Sequence, residues 1–195
     1  AKEGSLAGRL IPRFDKSRDD LYAQDNWRLV DDSPDVLILE GWCLGIEASS
    51  EEDLTSPCNE FEATHDADGS WRKSVNDYIA SEYAELQEMF DVWLFLRAPG
   101  FDSVYEWRLE QEEKMRQAHA AKRVMHQGSR NDEVGMTPEE VDRFIQHYQR
   151  LTERLLKSLP GRADVVWELD NSRKIQSMRV SGQLARYSLN KGRES

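Results

Sequence analysis

The chain has 195 residues, 38% of them hydrophobic and 32% charged, with a formal net charge of -11. That is enough chain for one sizeable core, and the balance argues against a general nucleic-acid binder. No run approaches the roughly 18 apolar residues of a membrane helix, and no apolar segment near Ala1 marks a secretory leader. Cys43 and Cys58 form neither a CxxC pair nor a disulfide scaffold, so a reducing, cytosol-like compartment is expected.

In chain order, the first cluster is Pro12-Arg13-Phe14-Asp15-Lys16-Ser17-Arg18-Asp19-Asp20. Alternating acids and bases beside a hydroxyl suit a polyhydroxylated or carboxylated small molecule; they equally suit a solvated turn. Residues 36–39 (Val-Leu-Ile-Leu) then read as a strand buried on both faces, of the kind inside a parallel sheet. Glu40-Gly41-Trp42-Cys43 follows where that strand should leave the sheet, the edge at which α/β proteins bind ligands. Glu40 is a candidate for ordering magnesium or water, or else a helix cap or arginine partner.

Residues 44–70 form an acidic, poorly periodic connection. From Leu29 through Trp71 there is no lysine or arginine, whereas residues 108–130 and 171–195 are net basic. Trp71, Val75, Tyr78, Ile79, Tyr83, Leu86 and Phe90 mark one helix face leading into a second strand at 92–96. A helix is expected from Phe101 into the 120s, with Arg108, Lys114 and Arg116 placed to fold over a ligand or to pair with neighbouring glutamates. Thr137-Pro138-Glu139-Glu140 is a helix start with a reciprocal cap. Val141, Phe144, Ile145, Tyr148, Leu151, Leu155 and Leu159 supply that helix's buried stripe, and Pro160-Gly161 ends it. A third strand at 163–169 completes an α/β pattern: a mostly parallel sheet with three clear strands, flanked by helices. Residues 1–170 are expected to form one domain and 171–195 a basic, partly disordered tail. The four histidines show no metal-binding spacing and are expected in surface or packing roles.

The order of these clusters, from Pro12-Arg13-Phe14-Asp15-Lys16-Ser17-x-Asp19-Asp20 through Glu40-Gly41-Trp42-Cys43-x-Gly45, is specific. With Asn59-x-Phe61-Glu62, Asp68-Gly69-x-Trp71-Arg72-x-x-Val75-Asn76, Trp107-Arg108-Leu109-x-Gln111-Glu112 and Arg162-Ala163-Asp164-Val165, it resembles the D-glycerate 3-kinase-like branch of the uridine kinase and phosphoribulokinase group of P-loop kinases. The resemblance implies an ATP- and Mg2+-dependent kinase acting on a hydroxyl of a small, glycerate-like metabolite. Glu40 would follow the Walker B strand and organise the metal, and Arg108 would belong to the lid over the phosphates. Asp15, Lys16, Asp19, Asp20 and Trp42 would lie on the acceptor side, and Asp170 would approach the adenine. Two departures stand out. Asp20 is followed by Leu21 where the pattern has arginine, so a basic contact to the substrate is either lost or supplied by Arg18. The GxxxxGK[ST] loop that cradles phosphates is not in these residues. The chain is therefore expected to be an incomplete P-loop kinase domain whose Walker A unit lies upstream in a longer reading frame, and to be inactive alone. The alternative is a non-catalytic remnant serving as a binding module.

Overall fold

A computed structural model describes residues 7–15, 20–32, 34–126 and 135–182, with backbone alone at 118, 119 and 121–126. The chain falls into two compact units, residues 1–41 and 42–195. The first is built from two minimal antiparallel ladders. Strand β1 (Leu10–Ile11) pairs with β4 (Arg28–Leu29), and β2 (Phe14–Asp15) pairs with β3 (Asp20–Leu21). Residues 36–39 join no ladder among the described residues, although they read as a buried strand. Their side chains are 73, 72, 79 and 51% exposed. An apolar run becomes a buried strand only with neighbours on both edges and both faces, and no described strand supplies them.

The second unit holds the core. After a short helix α1 (Glu60–His65), helix α2 (Ser70–Tyr78) passes through a π turn (Ile79–Tyr83) into α3 (Ala84–Gln87), then strand β5 (Leu94–Arg97). Helices α4 (Phe101–His126) and α5 (Pro138–Ser158) follow, then β6 (Val165–Leu169) and β7 (Ile175–Val180). The sheet order is β5-β6-β7, parallel between β5 and β6 and antiparallel between β6 and β7. The expected α/β class therefore holds, with β5 and β6 near their expected places. The third strand is β7, inside the stretch read as a tail, while 36–39 is not part of the sheet. The sequence boundary at 170 falls in the β6–β7 turn; residues 183–195 lie outside the described residues.

One sheet face is sealed. Phe95 and Val166 pack with Ile46, Ile79, Leu155 and Leu159. Gly45 allows that approach: at φ +83, an added Cβ would stand 3.0 Å from Leu159 Cδ1 and 3.1 Å from Trp93 Cζ3. The opposite face is apolar too. Leu96, Trp167 and Met178 lie in register across it, and Leu96 and Met178 are exposed. No described helix is long and apolar enough to cross a membrane.

Helix α5 starts as its sequence predicts. Glu140 N–H donates to Thr137 Oγ1 at 3.2 Å, and Thr137 N–H donates to Glu140 Oε2 at 2.8 Å. Its polar face then clasps the irregular connection of residues 44–59. Arg150 donates to the Asp53 and Ser56 carbonyls at 2.6 Å each, and Arg154 to the Glu47 carbonyl at 2.9 Å. From elsewhere, Arg72 donates to the Leu54 carbonyl at 2.7 Å and Arg162 to that of Gly45. The segment without a cation of its own is held by cations from the helices around it.

Two buried acids complete the clasp. Glu62 takes Arg150 Nε at 2.8 Å, Arg150 Nη2 at 2.6 Å and Cys58 N–H at 2.9 Å. Asp66 pairs with Arg72 at 2.9 Å and accepts from Trp71 N–H at 2.7 Å, opening α2. Burial alone would raise the Glu62 carboxyl, but the Arg150 contacts and the Cys58 amide outweigh it and lower its pKa.

Arg150→Ala leaves the Glu62 carboxylate buried without its cation and is expected to cost about 3–5 kcal/mol, read from the urea midpoint. Glu62 also sets an acid limb. Its lowered folded value means its stabilisation is complete above the ordinary glutamate value of 4.5 and is lost as pH falls through the lowered value. Glu62→Gln should flatten that part of the stability–pH curve; an unchanged acid limb would assign it to other carboxylates.

Candidate functional site

Of the residues singled out for chemistry, the structure brings together two groups. In the first unit, Asp15 and Asp20 are direct cross-strand partners on β2 and β3, Asp15 buried and Asp20 exposed. Asp20 Oδ1 accepts from Leu21 N–H at 2.7 Å. Lys16 and Asp19 lie outside the described residues. Glu40 ends the exposed 36–39 run, is itself exposed, and makes no hydrogen bond or ion pair among the described residues.

In the second unit, Trp42 and Arg108 meet the same side of α5. The Trp42 ring stacks on Tyr148 with centroids 4.7 Å apart and planes at 15°, and its Nε1–H donates to Thr152 Oγ1 at 3.2 Å. Tyr148 touches Phe144 at 5.2 Å, and the Arg108 guanidinium lies 5.3 Å over the Phe144 ring. The result is a continuous row: Trp42, Tyr148, Phe144, Arg108. Arg108 also pairs with Glu112 one turn on and donates to Gln111 Oε1 at 2.9 Å. Glu112 is 1% exposed, and its Oε2 accepts from Met136 N–H at 2.9 Å. The arginine expected on a lid is thus engaged by a buried carboxylate at the α4–α5 junction.

Phe144 and Tyr148 had been legible only as part of a packing stripe, since four-residue spacing on a helix reads the same for core and for pocket. Here both line a cavity of about 340 Å³ between α2 and α5, with Trp71, Val75, Ile79 and Leu151. His147, expected in a surface or packing role, lies tilted at 42° against Phe61 with centroids 3.9 Å apart and borders the same cavity.

Asp170 is elsewhere. Its Oδ1 accepts from the amides of Ser172 and Lys174 at 2.9 Å each, and its Oδ2 from Gln176 Nε2 at 2.7 Å. The Lys174 amide lowers its pKa most, burial opposes it, and the Ser172 and Gln176 contacts carry the net shift downward. It pins the β6–β7 turn, as aspartate does in turns generally. That turn docks on α4, where Trp107 Nε1–H donates to the Asn171 carbonyl at 2.7 Å and Arg173 lies 5.2 Å over the Trp107 ring. Arg173 and Lys114 hold Glu110 down to about 2. At the carboxyl ends of β5 and β6, Arg97 and Glu168 pair across the ladder at 3.1 Å.

No group of three His, Cys, Asp or Glu side chains converges among the described residues, and no GxxxxGK[ST] loop is present in the sequence.

No family model matches the chain. It is 25% identical over 142 residues to the chloroplastic D-glycerate 3-kinase of Arabidopsis thaliana, covering 71% of this chain and 26% of that protein. It is 30% identical over 145 residues to the uncharacterized kinase mug58 of Schizosaccharomyces pombe, covering 71% and 46%. Among solved structures, D-glycerate 3-kinase from Cryptococcus neoformans superposes with a TM-score of 0.65 at 21% identity, over 89% of this chain and 59% of that one; at that identity the likeness is one of fold. The chain spans less than half the length of the two curated relatives. Over that part, in sequence and in fold, it is similar to the D-glycerate 3-kinase-like branch of kinases.

Proposed function

We propose that this chain is part of an ATP-dependent kinase that phosphorylates a hydroxyl of a small, glycerate-like metabolite. The observation that carries the reading is Glu40. It stands at the end of an apolar strand-like run, solvent-facing and without a protein partner among the described residues. The buried acids Glu62, Asp66 and Glu112 are instead each paired with an arginine. A carboxylate left open at the end of such a run suits a metal-organising role once neighbouring strands complete the sheet. The kinase names of the two sequence relatives supply the reaction class.

In this reading residues 1–170 are a partial kinase domain, and the nucleotide loop and further metal ligands come from residues outside this chain. Arg108 faces the phosphates, and Asp15, Lys16, Asp19, Asp20 and Trp42 face the acceptor. Asp170 acts on the adenine side by holding the β6–β7 turn. The exposed 36–39 run and the outer edge of β5, unpaired among the described residues, support it, because both are shaped to receive neighbours. The free thiols of Cys43 and Cys58 fit a reducing, cytosol-like compartment, and the acidic charge favours small metabolites over nucleic acid. A second reading, a non-catalytic binding module, is favoured by one observation: no group of three metal-ligating side chains converges among the described residues.

The test is ADP release from Mg-ATP and D-glycerate by the polypeptide of the full reading frame. Glu40→Gln should lower kcat by about 10²–10³-fold, the scale of losing one electrostatic contact to the transition state. Unchanged turnover would remove Glu40 from the chemistry. A full-length protein that turns over no small hydroxy acid would leave the binding-module reading in its place.

A further inference from the structure

We propose that the cavity between α2 and α5 is a binding site for an uncharged, planar aromatic small molecule, separate from phosphoryl transfer. Its volume of about 340 Å³ lies in the range of small-molecule pockets, which are mostly apolar with few polar groups. Trp71, Val75 and Ile79 form one wall, and Phe144, Tyr148 and Leu151 the other. Three aromatic rings on two facing helices offer stacking and edge contacts to a flat ligand. Tyr148 is held from behind by Trp42.

The electrostatics select against an anion. Every charged side chain at the cavity is already committed: Glu62 to Arg150, and Arg72 to Asp66. Asn76 spends both amide atoms on Ser49, whose N–H it accepts at 2.5 Å and whose carbonyl it meets at 3.2 Å. A carboxylate or phosphate entering here would lose its hydration and find no unpaired cation, a large cost. A glycerate-like acid therefore belongs elsewhere, and the inference stands whether or not the kinase reading does.

The polar atoms left over suit a ring bearing a donor or acceptor. Tyr148 Oη, Trp71 Nε1 and His147 Nε2 make no hydrogen bond among the described residues. His147 Nδ1 lies 3.0 and 3.1 Å from the carbonyls of Arg143 and Phe144. Carbonyls only accept, so Nδ1 carries a proton there and Nε2 is the ring nitrogen left for a ligand. The helix wall is itself unusual: Ile79 opens a π turn, a local form often found at functional sites.

The experiment is calorimetric titration of the 195-residue chain with indole, beside indole-3-acetate, cyclohexanol and D-glycerate. Indole should bind one site, and indole-3-acetate, the same ring with a charge, at least about tenfold more weakly. Cyclohexanol should be weaker than indole, and D-glycerate should not compete. Val75→Phe, which fills the cavity, should weaken indole at least about tenfold. Should that variant shift the urea midpoint, Trp71→Ala at a half-exposed position gives a second measure, expected at least about fivefold weaker. The proposal is overturned by no indole binding, by equal binding of indole-3-acetate or cyclohexanol, or by undiminished binding in both variants. The last result would assign the ring to the exposed apolar face of the β5–β7 sheet.

Discussion

The second unit depends on arginines that reach from regular elements into an irregular one. Residues 44–59 carry backbone carbonyls that no ladder or helix satisfies; that of Leu54 is buried, where a missing donor is costly, while those of Asp53 and Ser56 lie at the surface. Arg150 alone closes two of them and both oxygens of Glu62. A lysine could not do this: its ammonium is a point charge, whereas the guanidinium is a rigid fork of five donors. Because the fork is planar and its partners lie on the loop, the clasp also fixes how the loop lies on α5. Trp42, at the start of that segment, is thereby set against Tyr148, and Leu54 and Ser49 against the α2–α5 cavity.

The sheet shows the complementary situation, apolar surface with nothing on it. Phe95 and Val166 are sealed, while Leu96 and Met178 on the other face are open. Burying one such side chain contributes about 1.5–3 kcal/mol. The outer face of the sheet and the 36–39 run therefore form a substantial unspent driving force for association. Soluble domains keep contiguous apolar surface small unless it is a contact. The same property makes these surfaces a competing destination for any apolar probe, which is why the cavity must be tested by filling it.

Local rules were legible wherever the signal was local. The Thr137 capping box, the α5 stripe and strands β5 and β6 follow from spacing within a few residues. Residues 36–39 were misread for an instructive reason. A hydrophobic run records the neighbours a segment is suited to, and whether those neighbours are present is not written in the run. Strand β7 was missed because its apolar positions, Ile175, Met178 and Val180, do not alternate regularly, and Lys174 and Arg179 interrupt the impression. Asp170 reads equally as a ligand-facing acid or a turn aspartate, and only its donors on Ser172, Lys174 and Gln176 decide between them. The arginine clasp was half legible: the absence of any cation from Leu29 to Trp71 implied that cations would come from elsewhere. Except for Arg72, which arginines come is a matter of contacts 80 and more residues apart in sequence, as between Glu62 and Arg150.

Arg108 shows how such pairing constrains chemistry. Its guanidinium is shared among Glu112, Gln111 and the Phe144 ring, and Glu112 is almost fully buried with only the Met136 amide as a further donor. If Arg108 moved wholly onto a phosphate, it would leave that carboxylate uncompensated in a low-dielectric site, where breaking such a pair costs about 3–5 kcal/mol. A phosphate contact made by one guanidinium edge, with the other still on Glu112, avoids that cost and keeps α4 tied to the start of α5. Bidentate recognition needs only one edge of the fork. Under the kinase reading, Arg108 therefore works as a fixed bridge between Glu112 and the ligand, and the mobility of a lid has to come from how α4 and α5 move together.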